Sequence, residues 1–378
     1  YFGASAMVVL ITIHVLRIFL MGSYKFPREF NWLTGAFLLV LTAAIAFTGQ
    51  LLRWDQDGYW SVVVMAEQAG KTPVIGQAIA QLVVAGSTVG GATLTRFFGI
   101  HVFLLPALIG GFVLVHLWLV VFDGISEPPE PGVRVEPRTY RQRYHELLQH
   151  NGVPFFPDAA WRDALFAVVV VAAIMFLAAI VGAPELGNPA DPTLVNANPR
   201  PDWYFLWYFA VLALIPPQLE DWVILSVPVL IGVLVIMVPF VSNRGERHPS
   251  RRPLAVFLVG GLLVSLVVLT IQGRQARWSP DIEAAQNVPV AAEVLQRAQT
   301  AGAGQGAQLF QDKGCPTCHA IAGGGGQKGP DLTRVGGRLT REQLITRILN
   351  GGDNMPAFGG NMTDQQLQQL VAFLQTLR

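Results

Sequence analysis

Six stretches of about 20 apolar residues dominate this chain, near 3–22, 31–52, 99–122, 160–183, 220–242 and 253–272. A helix of that length crosses the hydrocarbon core of a bilayer with its backbone polar groups bonded internally. The runs 31–52, 222–242 and 254–271 contain no Asp, Glu, Lys or Arg. Charged residues make up 13% of the chain, against roughly 25% in soluble domains. A large soluble helical core would not give uncharged runs this long. The fold class is therefore all-α: a multi-span transmembrane helical bundle with a small soluble α-helical appendage. Val74–Ala85 and Trp203–Ile215 are too short to span and read as interfacial or packed helices. Tyr1 opens almost directly into an apolar run, so we expect the N-terminus, with any signal or first span, to be missing. A net charge of +1 gives no footprint for nucleic acid; the expected surroundings are lipid.

Lys and Arg set the expected orientation. One set of loops carries Lys25, Arg28, Arg134, Arg138, Arg141, Arg143, Arg244, Arg247, Arg251 and Arg252. The opposite set carries Arg53, Lys71, Arg96 and Arg200, spread over longer stretches. The dense set is assigned to the cytoplasm, which places the C-terminal segment outside.

That segment holds the only two cysteines of the chain, in Cys315-Pro-Thr-Cys318-His319. Two thiols at this spacing can form thioethers to haem vinyl groups, and the adjacent His then lies under the iron. A zinc knuckle or redox dithiol would not call for the trailing His, and no second CxxC is present. The pattern points to a covalently attached c haem with axial ligands His319 and Met355, and with Met362 as the rival sulfur. We divide the chain into a membrane domain 1–272, a linker 273–303 containing Ser279-Pro280, and a compact module 304–378. The last helix of that module, Thr363–Leu377, places Leu367, Leu370, Val371, Phe373 and Leu374 on one face.

Ionisable groups within spans are costly and mark function. His101 and His116 lie 15 residues apart on one span, about 22 Å of rise. Fifteen residues overshoot four turns by ~60°, so both imidazoles can address one neighbour. That suits two haems stacked across the membrane. His14, late in a span running toward the basic side, matches His116 in depth. The partner of His101 is expected at or just before Tyr1. For any one histidine, a hydrogen bond to a carbonyl is the competing role. Gly35 and Gly49, 14 residues apart on the intervening span, leave gaps where flat macrocycles can approach. Arg17 can pair with a haem propionate or snorkel to the interface.

The motifs Gly3-Ala-Ser, His14 with Arg17, Gly22-Ser-Tyr24, Trp54-Asp-Gln56 with Gly58-Tyr-Trp60, Thr93-Leu-Thr-Arg96-Phe and Pro201-Asp202-Trp203-Tyr204-Phe205 resemble the cytochrome b family of respiratory and photosynthetic bc complexes. The resemblance covers about 1–272, and the C-terminal module resembles a class I cytochrome c. It implies that His14 and His116 hold the inner b haem and that His101 holds the outer one, two b haems beside the c haem. Arg17 and Arg96 join the cofactor-binding set. It also implies an outer quinol site with Asp202 in place of the family's usual Glu, and an inner quinone site served by Asp163. The familiar inner-site His falls at Val121. Asp202 and the 15-residue His spacing resemble menaquinol-type and photosynthetic branches.

On this resemblance, Asp202 is the base for the quinol proton and Tyr204 hydrogen-bonds nearby. By residue type alone, Asp202 reads first as a helix N-cap and Tyr204 as an interfacial anchor, and Asp163 can be a cap or the partner of Arg162. No ligand set for an iron–sulfur cluster is present, so a Rieske-type partner is expected. Other complex subunits, a homodimeric assembly and a downstream cytochrome or terminal oxidase are further expectations. Two other function classes compete: a membrane-anchored c-type electron carrier, and a dihaem b anchor of a dehydrogenase. The first needs only one span, and the second should lack Pro201-Asp202-Trp203-Tyr204.

Overall fold

A computed structural model describes all residues except 87, 192–199, 217–218, 276–289, 327–328, 352–354 and 360. Ser279-Pro280 therefore lies outside the described residues. Among the described residues, six helices are long and apolar enough to span: α1 Phe2–Leu20, α2 Glu29–Leu51, α5 Gly91–Asp123, Phe155–Val181, Trp222–Val241 and α10 Pro253–Gln275. Between α2 and α5 lie α3 Gln56–Gly70 and α4 Gly76–Val84. Following α5 are α6 Pro137–Asn151 and α7 Ala160–Val181, which forms most of the fourth span. The short apolar segment becomes a 3-10 turn, Trp203–Phe205, running into α8 Leu206–Leu214. The fifth span belongs to α9 Glu220–Val241. Beyond α10 come α11 Ala292–Thr300, α12 Gly304–Asp312, α13 Val335–Arg338, α14 Arg341–Asn350 and α15 Asp364–Thr376. The protein is a bundle of long apolar helices with a small helical module at its C-terminus.

The two parts are stabilised differently. Spans are apolar on all sides and few of their side chains are buried within the chain, because lipid takes the place of a protein core. The C-terminal module packs inward around Phe310, Leu344, Ile348, Leu370, Val371 and Phe373. Its helices α14 and α15 start with capping boxes, Thr340 with Gln343 and Thr363 with Gln366. α11, inside the stretch assigned to a linker, buries Val294 and Ala298 in the same core.

The dense basic loops form a rim at the N-terminal end of α2. Lys25, Arg28 and Arg247 are buried there. Arg247 pairs with Glu127 at 2.6 Å. Arg28 donates to the Gly124 carbonyl at 2.8 Å and to Tyr140 at 2.7 Å. Lys25 donates to the Arg244 carbonyl at 2.6 Å, and Arg252 to the Phe19 and Leu20 carbonyls at the end of α1. An antiparallel pair, β1 Arg134–Val135 with β2 Gly245–Glu246, closes the rim. These cations satisfy helix C-termini and loop carbonyls, so the rim is a clasp as well as a topological signal.

Candidate functional site

The spacing of the two histidines on α5 is resolved by a π-helical turn. Residues Ile100–Leu104, with His101 among them, close on a bond from the Leu105 N–H to the Ile100 carbonyl. A π turn closes one residue later than an α turn and so absorbs one residue. With one residue absorbed, the separation turns about as far as 14 ideal residues do, about 40° short of four turns and no longer ~60° past them. The two imidazoles then match the 14-residue spacing of Gly35 and Gly49 on the packed face of α2.

Each glycine meets an imidazole. A Cβ on Gly35 would stand 3.2 Å from His116 Cε1, and one on Gly49 would stand 2.9 Å from His101 Cε1. The residue before each glycine is threonine. Thr34 Oγ1 lies 2.8 Å from His116 Nδ1, and Thr48 Oγ1 lies 2.8 Å from His101 Nδ1. The gaps at the glycines thus seat the two imidazole rings. His14 on α1 interacts electrostatically with His116, so those two residues share one neighbourhood. Arg17 stands in the last turn of α1, three residues on.

At the other end of α2 is a polar cluster. Asp202 precedes a helical turn, yet its side chain makes no cap hydrogen bond. Tyr204 Oη donates to Asp202 Oδ2 at 2.8 Å. Arg53 Nη1 lies 3.8 Å from Asp202 Oδ1, and Arg53 Nε lies 3.6 Å from Asp55 Oδ2. The Asp202 N–H donates to buried Gln50 at 3.2 Å. Asp57 accepts from the Arg200 N–H at 2.8 Å. Burial, with the Asp55 and Asp202 carboxylates adding, holds Asp57 above the usual carboxylate range. Burial first, then the Asp202 charge and hydrogen bond, push the Tyr204 phenol upward, which keeps it a donor. Asp55 does cap: it accepts from Gly58 N–H at 2.9 Å and opens α3.

In the C-terminal module, Cys315–Thr317 form a 3-10 turn that brings His319 N–H to the Cys315 carbonyl at 3.0 Å. His319 Nδ1 lies 2.8 Å from the Pro330 carbonyl. A Cβ on Gly329 would stand 2.6 Å from His319 Cε1. Thr317 Oγ1 is buried without a hydrogen-bond partner. Met355 and Met362 both pack, partly buried, against the module core.

These residues fit haem. Where Nδ1–H is consumed by a threonine or a carbonyl, Nε2 is left as the lone-pair donor that iron requires. Other proposed residues stand apart. Asp163 is exposed in the first turn of α7, and exposed Arg96 donates to the Leu82 carbonyl. Residue-type reasoning passed over Thr34, Thr48, Gln50, Arg53 and Asp57. The Thr-Gly pair at 34–35 and again at 48–49 was the visible signal; the cluster around Asp202 left none.

Comparison with known proteins gives matches over nearly the whole chain. The family described as Cytochrome b(N-terminal)/b6/petB matches residues 5–189. Cytochrome b(C-terminal)/b6/petD matches 189–291. Cytochrome C oxidase, cbb3-type, subunit III matches 301–374. A solved chain of "Hyperthermophilic respiratory Complex III" is 27% identical, with a TM-score of 0.59, over 72% of this chain and 69% of its own.

Proposed function

Since the chain is a cytochrome b of the bc-complex family carrying a c-type cytochrome domain at its C-terminus, we propose that it is the b/c fusion subunit of a quinol:cytochrome c oxidoreductase in a bacterial cytoplasmic membrane. The observation that carries this reading is the Asp202 carboxylate: it is held by Tyr204 and Arg53 instead of capping the helix it precedes. When bound, two b haems and one covalent c haem supply the one-electron redox chemistry that separates the two electrons of a quinol.

His14 and His116 would hold the inner b haem and His101 the outer one. Cys315 and Cys318 would bear the c haem between His319 and Met355. Asp202 accepts the proton of the quinol hydroxyl, with Arg53 beside it and Tyr204 fixing its orientation. The cluster lies at the end of α2 opposite the basic rim, which supports an outer quinol site and an extracytoplasmic c domain. The shorter Asp202 and the 15-residue His spacing favour menaquinol. Asp163 serves the inner quinone. A Rieske-type iron–sulfur protein receives one electron from quinol, the complex is homodimeric with further subunits, and a downstream cytochrome or oxidase drains the c domain.

Asp202→Asn in the purified complex tests the assignment. Quinol turnover should fall by about 10²–10⁴-fold, the usual weight of a general base, with haem spectra unchanged. Wild-type turnover would remove Asp202 from the chemistry. A reduced-minus-oxidised spectrum with c bands alone would restore the simple carrier.

A further inference from the structure

The imidazoles of His101, His116 and His319 all have their Nδ1 atoms engaged, but the acceptors differ in kind. For His319 the acceptor is a backbone carbonyl, which has no proton to place. For His116 and His101 it is a hydroxyl, which can donate or accept. The neighbouring bonds decide the direction. Thr34 Oγ1 lies 3.1 Å from the Phe30 carbonyl and 3.0 Å from that of Asn31. Thr48 Oγ1 lies 3.0 Å from the Ala44 carbonyl and 3.2 Å from that of Ile45. Carbonyls only accept, so each threonine proton points back along its own helix. Each Oγ1 is then left as an acceptor, and Nδ1 must carry the imidazole proton. Thr34 is the side chain against His116 Nδ1, and Thr48 the one against His101 Nδ1.

We propose that Thr34 and Thr48 are positioning residues. Each fixes the tautomer that leaves Nε2 of the facing imidazole bare, and each sets the reduction potential of the b haem held by that imidazole. The inference rests on the reading of His116 and His101 as haem ligands. An acceptor on Nδ1–H makes the imidazole a stronger donor, which favours ferric over ferrous iron. The adjacent glycines permit the contact, since a Cβ would meet each ring edge-on.

The test uses the full chain, purified with its haems, in Thr48→Val, Thr34→Val and Thr48→Ser forms, read by redox titration of the b bands. Thr48→Val should raise the midpoint of one b haem by about tenfold in its reduction equilibrium, or 59 mV for a one-electron couple. The other b haem and the c haem should stay in place. Thr34→Val should move the other b haem in the same direction, and Thr48→Ser should keep the wild-type value. Two bound b haems with unmoved potentials in both valine variants would overturn the proposal. Haem counting in His101→Ala and His116→Ala separates this from the premise. Loss of one b haem in each upholds ligation, whereas full b-haem content in either would overturn the ligand reading and the proposal with it.

Discussion

The membrane half and the soluble half seat a histidine by the same construction and differ in what anchors it. In both, a glycine stands against the ring, at Gly35, Gly49 and Gly329, and an acceptor engages Nδ1. In the soluble module the acceptor is the Pro330 carbonyl, freed because a loop leaves the backbone unpaired there. Within a membrane helix the carbonyls are committed to the helix itself. A side-chain hydroxyl that bonds back to its own helix is the available substitute. The contrast teaches that secondary structure dictates which atom can orient an imidazole. An irregular loop can use its main chain; a regular helix has to use a side chain.

The strongest test of this parallel removes the rings or their covalent anchors. His116→Ala should abolish one b haem and leave c absorbance intact, while Cys315→Ser should disturb c-haem attachment with both b haems retained. Cross-loss in difference spectra would show that the halves do not assemble independently. Next come the glycines. Overpacking costs about 1–3 kcal/mol, and the closer the added Cβ, the greater the cost. Haem retention on heating should therefore fall most for Gly329→Ala, then Gly49→Ala, then Gly35→Ala, following contacts of 2.6, 2.9 and 3.2 Å. An inverted order between the halves would break the comparison.

A smaller effect separates their sources of stability. Thr363→Ala removes a capping-box hydroxyl from α15 and should cost about 1 kcal/mol. That loss should show in unfolding followed at the c band and be absent from the b bands. The smallest effect concerns pH. Burial, with Arg252 and Arg247 beside it, pushes Lys25 down to about 8 from 10.5. Between those values the unfolded chain holds a proton that the folded chain lacks, so stability rises with pH. Wild type should gain on Lys25→Met in melting of the b bands as pH rises from about 8 to 10.5. A pH-independent difference between the two proteins would place the lysine outside the buried clasp.

Six spans, the CxxCH turn and the amphipathic last helix were all legible in the chain. Each rests on a local rule: hydrophobic length, ligand spacing or helical period. The paired glycines could be seen too, although what faces them could not. Tertiary structure alone decided the phase of His101, because a π turn costs little in sequence and leaves no compositional mark. It decided that Asp202 turns from its helix to Tyr204 and Arg53, since a capping aspartate and a clustered one look alike along the chain. It also buried Lys25, Arg28 and Arg247, which by charge alone signal only an orientation across the membrane. Periodicity and spacing are properties of one segment, whereas the direction of a proton or the partner of a charge depends on atoms brought from elsewhere in the fold.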